Sequence, residues 1–248
     1  MAMSFARHNH IILLAAGRGE RFGGNLPKQF IEVHGRPLLY FSLETFLEHE
    51  SIASVCVVLP EQFIDFPLPN HPKLLSPVIG GHLRHLSTRN GLKALRCKPN
   101  DGVLIHDAAR PLVPASLIGE VCLALNNCDA VTPALPIEDA LLERDHLHIV
   151  DRARYGIVQT PQGFRHSVLE EAFTRSETIE LPSNRIPSCE FELVRALLPS
   201  ANASSILGHH KNFKITHRHD LENLPHLLRK KPTMARNFDG FVRIATAL

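Results

Sequence analysis

Between residues 10 and 136, short apolar runs alternate with segments whose apolar residues recur at helical spacing. That alternation limits the fold more than any other feature of this 248-residue chain. "HIILLAA" (10–16), "IASVCVVLP" (52–60), "DGVLIHDAARP" (101–111) and "DAVTPALP" (129–136) read as strands. The first two are almost continuously apolar, as strands buried on both faces are. "KLLSPVIGG" (73–81) reads as a further strand ending in two glycines. "RPLLYFSLETFLEH" (36–49), "LRHLSTRNGLKAL" (83–95) and "PASLIGEVCLALNN" (114–127) read as helices. Pro37 and Pro114 stand near helix starts, where a missing N–H costs little. The pattern predicts an α/β fold, a mainly parallel sheet with helices on both faces. In such sheets ligands bind beyond the carboxyl ends of the strands. The polar stretches "GRGER", "GGHLR" and "HDAARP" fall there.

Beyond residue 136 the pattern changes. "IEDALLERDHLHIVDRARYGIV" (137–158) is charged and partly alternating, and reads as a protruding hairpin or arm. "GFRHSVLEEAFTRS" (163–176) reads as helix, "ETIELPSNRIPS" (177–188) as loop and "CEFELVRALL" (189–198) as helix. "NFKIT" (212–216) reads as a short strand, and "HDLENLPHLLRKK" (219–231) as a helix broken near Pro225. Residues 232–248 carry no assignable pattern.

Composition excludes several classes. A formal charge of +2 gives no basis for a nucleic-acid surface. The sixteen histidines are scattered and form no H-E-x-x-H spacing, and no metal-ligating residue is assigned from them. None of the five cysteines forms C-x-x-C, which suits reduced thiols in a cytosolic protein. The N-terminus lacks the apolar core of a signal peptide, and no stretch approaches the ~20 apolar residues of a membrane span. The expectation is a soluble cytoplasmic protein with neither nucleic acid nor membrane as partner.

"LLAAGRGERFGGNLPKQF" (13–30) couples the first strand to a glycine-rich basic loop. A Walker A loop needs G-x-x-x-x-G-K-[ST], whereas here Lys28 lies between Pro27 and Gln29. The dinucleotide fingerprint G-x-G-x-x-G fails at Phe22. A-A-G-x-G-x-R followed by P-K-Q remains. Its glycines allow close backbone approach and positive φ, and successive N–H groups in such a turn make an anion nest. Arg21 offers phosphate a planar fork, and Lys28 a compact charge.

This loop resembles the signature of the sugar- and polyol-phosphate nucleotidyltransferases. "GGHLRHLSTRNGL", "HDAARP" and "VDRARYGIVQTPQGF" narrow the resemblance to the 2-C-methyl-D-erythritol 4-phosphate cytidylyltransferase family. The resemblance runs from about His10 to Leu224. It implies a Rossmann-like twisted sheet in a single nucleotidyltransferase domain (1–231), with the arm at about 137–158 used for homodimerisation, and a separate tail (232–248). The family joins CTP to a polyol phosphate with Mg²⁺ and releases pyrophosphate, in the non-mevalonate route to isoprenoids. By resemblance, Ala15, Ala16, Gly17, Arg18 and Gly19 wrap the triphosphate. Arg21, Lys28 and Lys214 act on charge at the α-phosphate and the leaving pyrophosphate. Gly80, Gly81, Arg84 and Ser87 contact base and ribose. Asp107, Arg110, Thr160 and Ser188 lie beside the polyol phosphate, and Arg152 reaches it across a dimer. Mg²⁺ is expected to be held mainly by the CTP phosphates, with Asp107 the nearest carboxylate.

The substrate side departs from the family pattern. "PIEDALL" keeps Asp139 but has Ala140 where the family has threonine. "SCEFE" stands where the family has Thr-Asp-Asp-Ala-Ser: Ser188 offers a replacement hydroxyl, Cys189 removes a carboxylate and Glu190 keeps the next. His82 stands where a small or acidic residue is common. Lost hydroxyl contacts change substrate choice. Two alternatives therefore stay open: a cytidylyltransferase for another polyol phosphate such as ribitol 5-phosphate, and a weakly catalytic nucleotide-binding homologue.

Overall fold

A computed structural model describes residues 8–17, 19, 22–23, 26–178 and 186–228. In chain order its elements are β1 (Asn9–Leu14), β2 (Glu32–Val33), β3 (Arg36–Pro37), α1 (Leu38–Glu48), β4 (Ile52–Leu59), β5 (Val78–Ile79), α2 (Arg84–Ala94), β6 (Gly102–Asp107) and α3 (Ala115–Ala124). There follow β7 (Ala130–Pro136), β8 (Leu141–Glu143), β9 (His148–Val150), β10 (Gly156–Val158), β11 (Gln162–Arg165), α4 (His166–Ser176), α5 (Glu190–Leu197), β12 (Ala203–Leu207) and α6 (His219–Leu228).

The main sheet runs β10-β7-β11-β6-β1-β4-β5, with β12 added on β7. β1 pairs parallel with both β4 and β6, β4 with β5, and β12 with β7. Only β10 and β11 run antiparallel to their neighbours. Strand alternation divides the core. Ile11, Leu13, Val55, Val57 and Leu104 pack on one face with Leu39, Leu43 and Phe46 of α1 and Ile118 and Val121 of α3. Ile12, Cys56, Val58, Val103 and Ile105 pack on the other with Leu92 of α2, Leu169 and Phe173 of α4, and Leu193 and Val194 of α5. Ile11, Ile12 and Leu13 are fully buried, and each contributes roughly 1.5–3 kcal/mol by leaving water. A row of three such residues is possible only for a central strand covered on both faces.

Register sets the position of the site. Leu14, the last residue of β1, lies opposite Asp107 on β6 and Val58 on β4. The chain leaving β1 therefore emerges beside Asp107.

Several sequence expectations are corrected. The segment 73–81 supplies only the two-residue β5 and a bridge from Leu74 to Val55. Helix does not begin at Gly163: Gln162–Arg165 forms β11, whose pairing with both β6 and β7 overrides the helical spacing. β12 was not foreseen, because "ASSIL" is short and its apolar content weak. Residues 212–216 are not a strand; their backbone groups bond to loops, as described below. α6 is continuous through Pro225, so losing one N–H donor does not end it. The arm contains the hairpin β8–β9, a separate two-stranded sheet. Among the described residues no helix is long and apolar enough to cross a membrane. The tail, 232–248, lies outside the described residues.

Candidate active site

The loop after β1 is fixed from beneath. Ala15 is buried and its N–H donates to the Val58 carbonyl at 2.9 Å. Buried Gln29 sends Nε2 to the carbonyls of Ala15 (2.6 Å) and Gly17 (3.0 Å). The last residue of P-K-Q is therefore a latch that holds the loop shape, a role the motif displays but does not explain. Of the two predicted glycines, Gly19 takes positive φ (68°) and Gly17 does not. Lys28 donates from Nζ to the Ile215 carbonyl at 2.5 Å, which ties P-K-Q to the segment 212–216. Arg18 and Arg21 lie outside the described residues.

The next wall comes from the loop entering α2. Gly80 N–H donates to the Leu59 carbonyl at 2.8 Å. A Cβ on Gly80 would collide with the Cβ of Ala16, so the two loops touch through backbone that only glycine permits. Ser87 is buried, and its Oγ accepts from the Gly81 N–H at 3.1 Å. The serine shapes the glycine turn from inside.

Asp107, at the end of β6, is where the cations meet. Its carboxylate is hydrogen-bonded to Arg84 Nη1 and to Lys214 Nζ (2.8 Å), with Arg110 Nε at 3.9 Å. Burial alone would raise its pKa, but Arg84, Lys214 and Arg110 outweigh it and hold the carboxyl well below the usual range. Arg84 shows the converse: burial opposes its charge, yet Asp107 and Glu190 push its pKa above the ordinary value. For Arg110 burial prevails and the pKa falls.

Glu190, at the start of α5, is buried and was not chosen from sequence. It holds Arg84 Nε at 3.2 Å and accepts from the Thr88 hydroxyl at 2.6 Å. Its signal was the acidic position retained in "SCEFE". Around this cluster the described residues supply four cationic side chains, Lys28, Arg84, Arg110 and Lys214, and two carboxylates, Asp107 and Glu190. The surplus is positive, as an anionic ligand requires.

A neutral network supports the carboxylate. Fully buried His106 faces the Arg110 carbonyl through Nε2 (3.1 Å) and the Thr160 hydroxyl through Nδ1 (3.1 Å). A carbonyl only accepts, so Nε2 carries the proton and Nδ1 accepts from Thr160. Thr160 Oγ1 in turn accepts from the Asp107 N–H at 3.2 Å. Burial lowers the His106 pKa to about 4, so the imidazole is neutral. The peptide between Thr160 and Pro161 is cis.

The segment 212–216 is stitched across the same floor. Ile215 N–H donates to the Ala109 carbonyl, Arg110 Nη1 to the Asn212 carbonyl and Asn212 Nδ2 to the Thr160 carbonyl, at 2.7–2.8 Å. Buried Gln159 bonds both ways with the His209 backbone. Lys214 thereby reaches Asp107 without any sheet pairing.

Two predicted residues point elsewhere within this chain. Ser188 donates both its hydroxyl (2.6 Å) and its backbone N–H (2.7 Å) to Glu192 in the first turn of α5. Arg152, exposed on the arm, donates to the Glu138 carbonyl. Asp139 and Ala140 are exposed beside it. A cleft of about 760 Å³ lies at the other end of the sheet, between Asn9, Ser51, Ser116 and Asn126. It lacks the convergent cations, so the chemistry is assigned to the carboxyl ends of the strands.

Similarity to known proteins agrees with this placement. The chain is 38% identical over 218 residues to the 2-C-methyl-D-erythritol 4-phosphate cytidylyltransferase of Thermotoga neapolitana, covering 86% of this chain and 94% of that one. It is 38% identical over 226 residues to the bifunctional enzyme IspD/IspF of Rhodospirillum rubrum, covering 88% of this chain but 56% of that protein. Among solved structures, the 2-C-methyl-D-erythritol 4-phosphate cytidylyltransferase of Thermus thermophilus superposes with a TM-score of 0.69 at 31% identity, covering 88% of this chain and 98% of that one. The 4-diphosphocytidyl-2C-methyl-D-erythritol synthase of Anaerococcus prevotii gives 0.76 at 25% identity, with 90% and 97% covered. The family model described as IspD, 2-C-methyl-D-erythritol 4-phosphate cytidylyltransferase, matches residues 9–230, and the chain belongs to that family.

Proposed function

We propose that this chain transfers a cytidylyl group from CTP to 2-C-methyl-D-erythritol 4-phosphate, giving 4-diphosphocytidyl-2-C-methyl-D-erythritol and pyrophosphate. The observation that carries the reading is the cationic cluster held by Asp107 at the carboxyl end of β6, next to the glycine loop. A substrate phosphate oxygen attacks the α-phosphorus as the bond to the β-phosphate oxygen breaks. A phosphate monoester is largely dianionic near neutral pH, its second pKa being about 6, so the reaction needs no strong general base. The protein positions two anions and stabilises charge that shifts toward pyrophosphate. Ala15, Ala16, Gly17, Arg18 and Gly19 cradle the triphosphate, with Arg21 and Lys28 against the leaving group. Gly80, Gly81, Arg84 and Ser87 form the base and ribose wall. Arg110, Thr160 and Lys214 border the second phosphate.

Mg²⁺ fits this site only through the nucleotide. Among the described residues Asp107 is the carboxylate at the centre of the cationic cluster, and its oxygens are held by Arg84 and Lys214. Mg²⁺ keeps several waters and binds readily through phosphate oxygens. When bound it would neutralise triphosphate charge, while the cations above act on the rest. A homodimer formed through the arm would bring Arg152 to the neighbouring subunit's phosphate. The five free cysteines suit a reducing cytoplasm.

Ser188 supports a second reading. Its hydroxyl is taken by Glu192, and Ala140 offers none, so the polyol side has fewer hydroxyl partners than the family pattern. Ribitol 5-phosphate is the alternative acceptor. Pyrophosphate release with CTP and Mg²⁺ is to be measured separately with methylerythritol phosphate, ribitol phosphate and glycerol phosphate. Release with the first is expected. Release with ribitol phosphate alone would overturn the assignment, and none with any would favour a nucleotide-binding homologue.

A further inference from the structure

The arm carries chemistry that nucleotidyl transfer does not use. In β8–β9, Glu143 and His148 are cross-strand partners, so their side chains share a face. The connecting turn brings His146 onto the same carboxylate, with Leu147 in the left-handed region (φ 53°) between the histidines. His146 Nδ1 lies 2.9 Å and His148 Nδ1 3.3 Å from Glu143 Oε2. These three residues place one ligand atom each within 4.8 Å of one another.

We propose that Glu143, His146 and His148 form a binding site for a zinc-class divalent cation. A tetrahedral ion with ~2.1 Å bonds to nitrogen and oxygen separates its ligand atoms by about 3.4 Å. The His148 spacing of 3.3 Å is close to that, and the His146 spacing of 2.9 Å has to open by about 0.5 Å to admit the ion. Two imidazoles and one carboxylate suit Zn²⁺, Co²⁺, Ni²⁺ or Cu²⁺, and disfavour Mg²⁺, which takes oxygen ligands. Water fills the fourth position, since both histidines are exposed. The carboxylate is already oriented: Oε1 accepts from the Asp145 N–H at 3.3 Å and Oε2 from the His146 N–H at 3.0 Å. Such hydrogen bonds are what hold a ligating carboxylate in place. The lone pairs of a carboxylate, about four, leave room for the ion. An isolated hairpin of two three-residue strands is marginal in water, and the ion would staple its strands together at the turn end, where Glu143 faces His148. Ion binding displaces protons from the imidazoles, so it weakens as the solution is acidified.

The test is titration of the full chain with Zn²⁺ by calorimetry and with Co²⁺ by visible absorption, for wild type, His146→Ala/His148→Ala and Glu143→Gln. The difference between proteins is the quantity read, so that metal held by other histidines cancels. Wild type is expected to bind one more equivalent of Zn²⁺ than the double variant and to give d–d bands of tetrahedral Co²⁺ that the double variant lacks. Glu143→Gln keeps the turn acceptor and is expected to bind at least ten-fold more weakly. Amides 141–150 should exchange more slowly with Zn²⁺ in wild type alone. Equal stoichiometry and affinity in wild type and double variant overturn the proposal, as does an unchanged exchange rate in the hairpin.

Discussion

Acidifying the solution from pH 7 to pH 4 is expected to remove about 3 kcal/mol of folding stability through His106 alone. Folding lowers this imidazole from its ordinary 6.5 to about 4, chiefly by burial. Between those values the unfolded chain binds a proton that the native chain does not. Stability therefore rises with pH across the window, and falls by ~1.4 kcal/mol for each pH unit of acidification within it. Below pH 4 both states bind the proton and the loss stops growing. His10 and His85, also lowered by burial, add to the slope with the same sign. Asp101, Asp107 and Asp220 have depressed pKa values, so their contribution is present above the ordinary 3.8 and is lost only below it. The interval from 4 to 6.5 is thus a histidine window.

His106→Gln isolates the term. Glutamine keeps a donor for the Arg110 carbonyl and does not titrate. It gives up the acceptor for the Thr160 hydroxyl, at a cost of roughly 1–2 kcal/mol at pH 7. Urea unfolding followed by far-UV circular dichroism suits a chain with no tryptophan. The free energy in water, measured at pH 7, 6, 5 and 4.5, should fall less steeply in the variant by close to one proton. ¹⁵N spectra of the native imidazole should show Nδ1 unprotonated throughout. Parallel slopes for the two proteins, or a native His106 that titrates near 6.5, would refute the buried neutral network.

Four further outcomes are expected. Glu190→Gln keeps an acceptor for Thr88 but leaves half-buried Arg84 with one carboxylate, so urea unfolding should show a loss of about 1–3 kcal/mol and kinetics a raised KM for CTP; unchanged stability would deny Glu190 its anchoring role. Gly80→Ala forces the loop off Ala16 and Ser87, which should cost ~1–3 kcal/mol in thermal or urea unfolding, and an unshifted transition would contradict the close contact. Lys28→Ala should lower kcat at least ten-fold while the Kd for CTP changes less; equal losses would leave Lys28 a binding residue only. Mixed dimers of Lys28→Ala and Arg152→Ala subunits should regain activity that neither parent has, and inactive mixtures would exclude a role for Arg152 in trans.

Much of the fold was legible because it depends on local patterns. Continuous apolar runs gave β1 and β4, and helical spacing gave α1 and α2 to within two residues and α3 to within three. The failures share a cause. β11 and β12 are short strands whose existence depends on β6 and β7 offering free edges, which no local spacing records. The stretch "NFKIT" has the composition of a strand, yet its hydrogen-bonding groups face Ala109, Arg110, Lys28 and Thr160. Its extended shape was readable, and its partners were not.

The site divides in the same way. Motifs located Lys28, Arg84, Asp107 and Lys214, but the roles depend on pairs separated by 106 and 107 residues, Arg84 with Glu190 and Lys214 with Asp107. Read alone, Asp107 is a carboxylate waiting for a substrate hydroxyl or a metal. In the fold both of its oxygens are engaged by cations. Three like charges gathered in a partly buried site repel one another, and more strongly than they would in water. One buried carboxylate makes the gathering possible, and its N–H is in turn fixed by Thr160 and His106. The cluster remains positive after Asp107 and Glu190 are counted, so an arriving phosphate meets charge already in place. Stabilisation of that kind costs no reorganisation when the bond to pyrophosphate breaks. Asp107 acts, on this argument, by fixing where the positive charges stand.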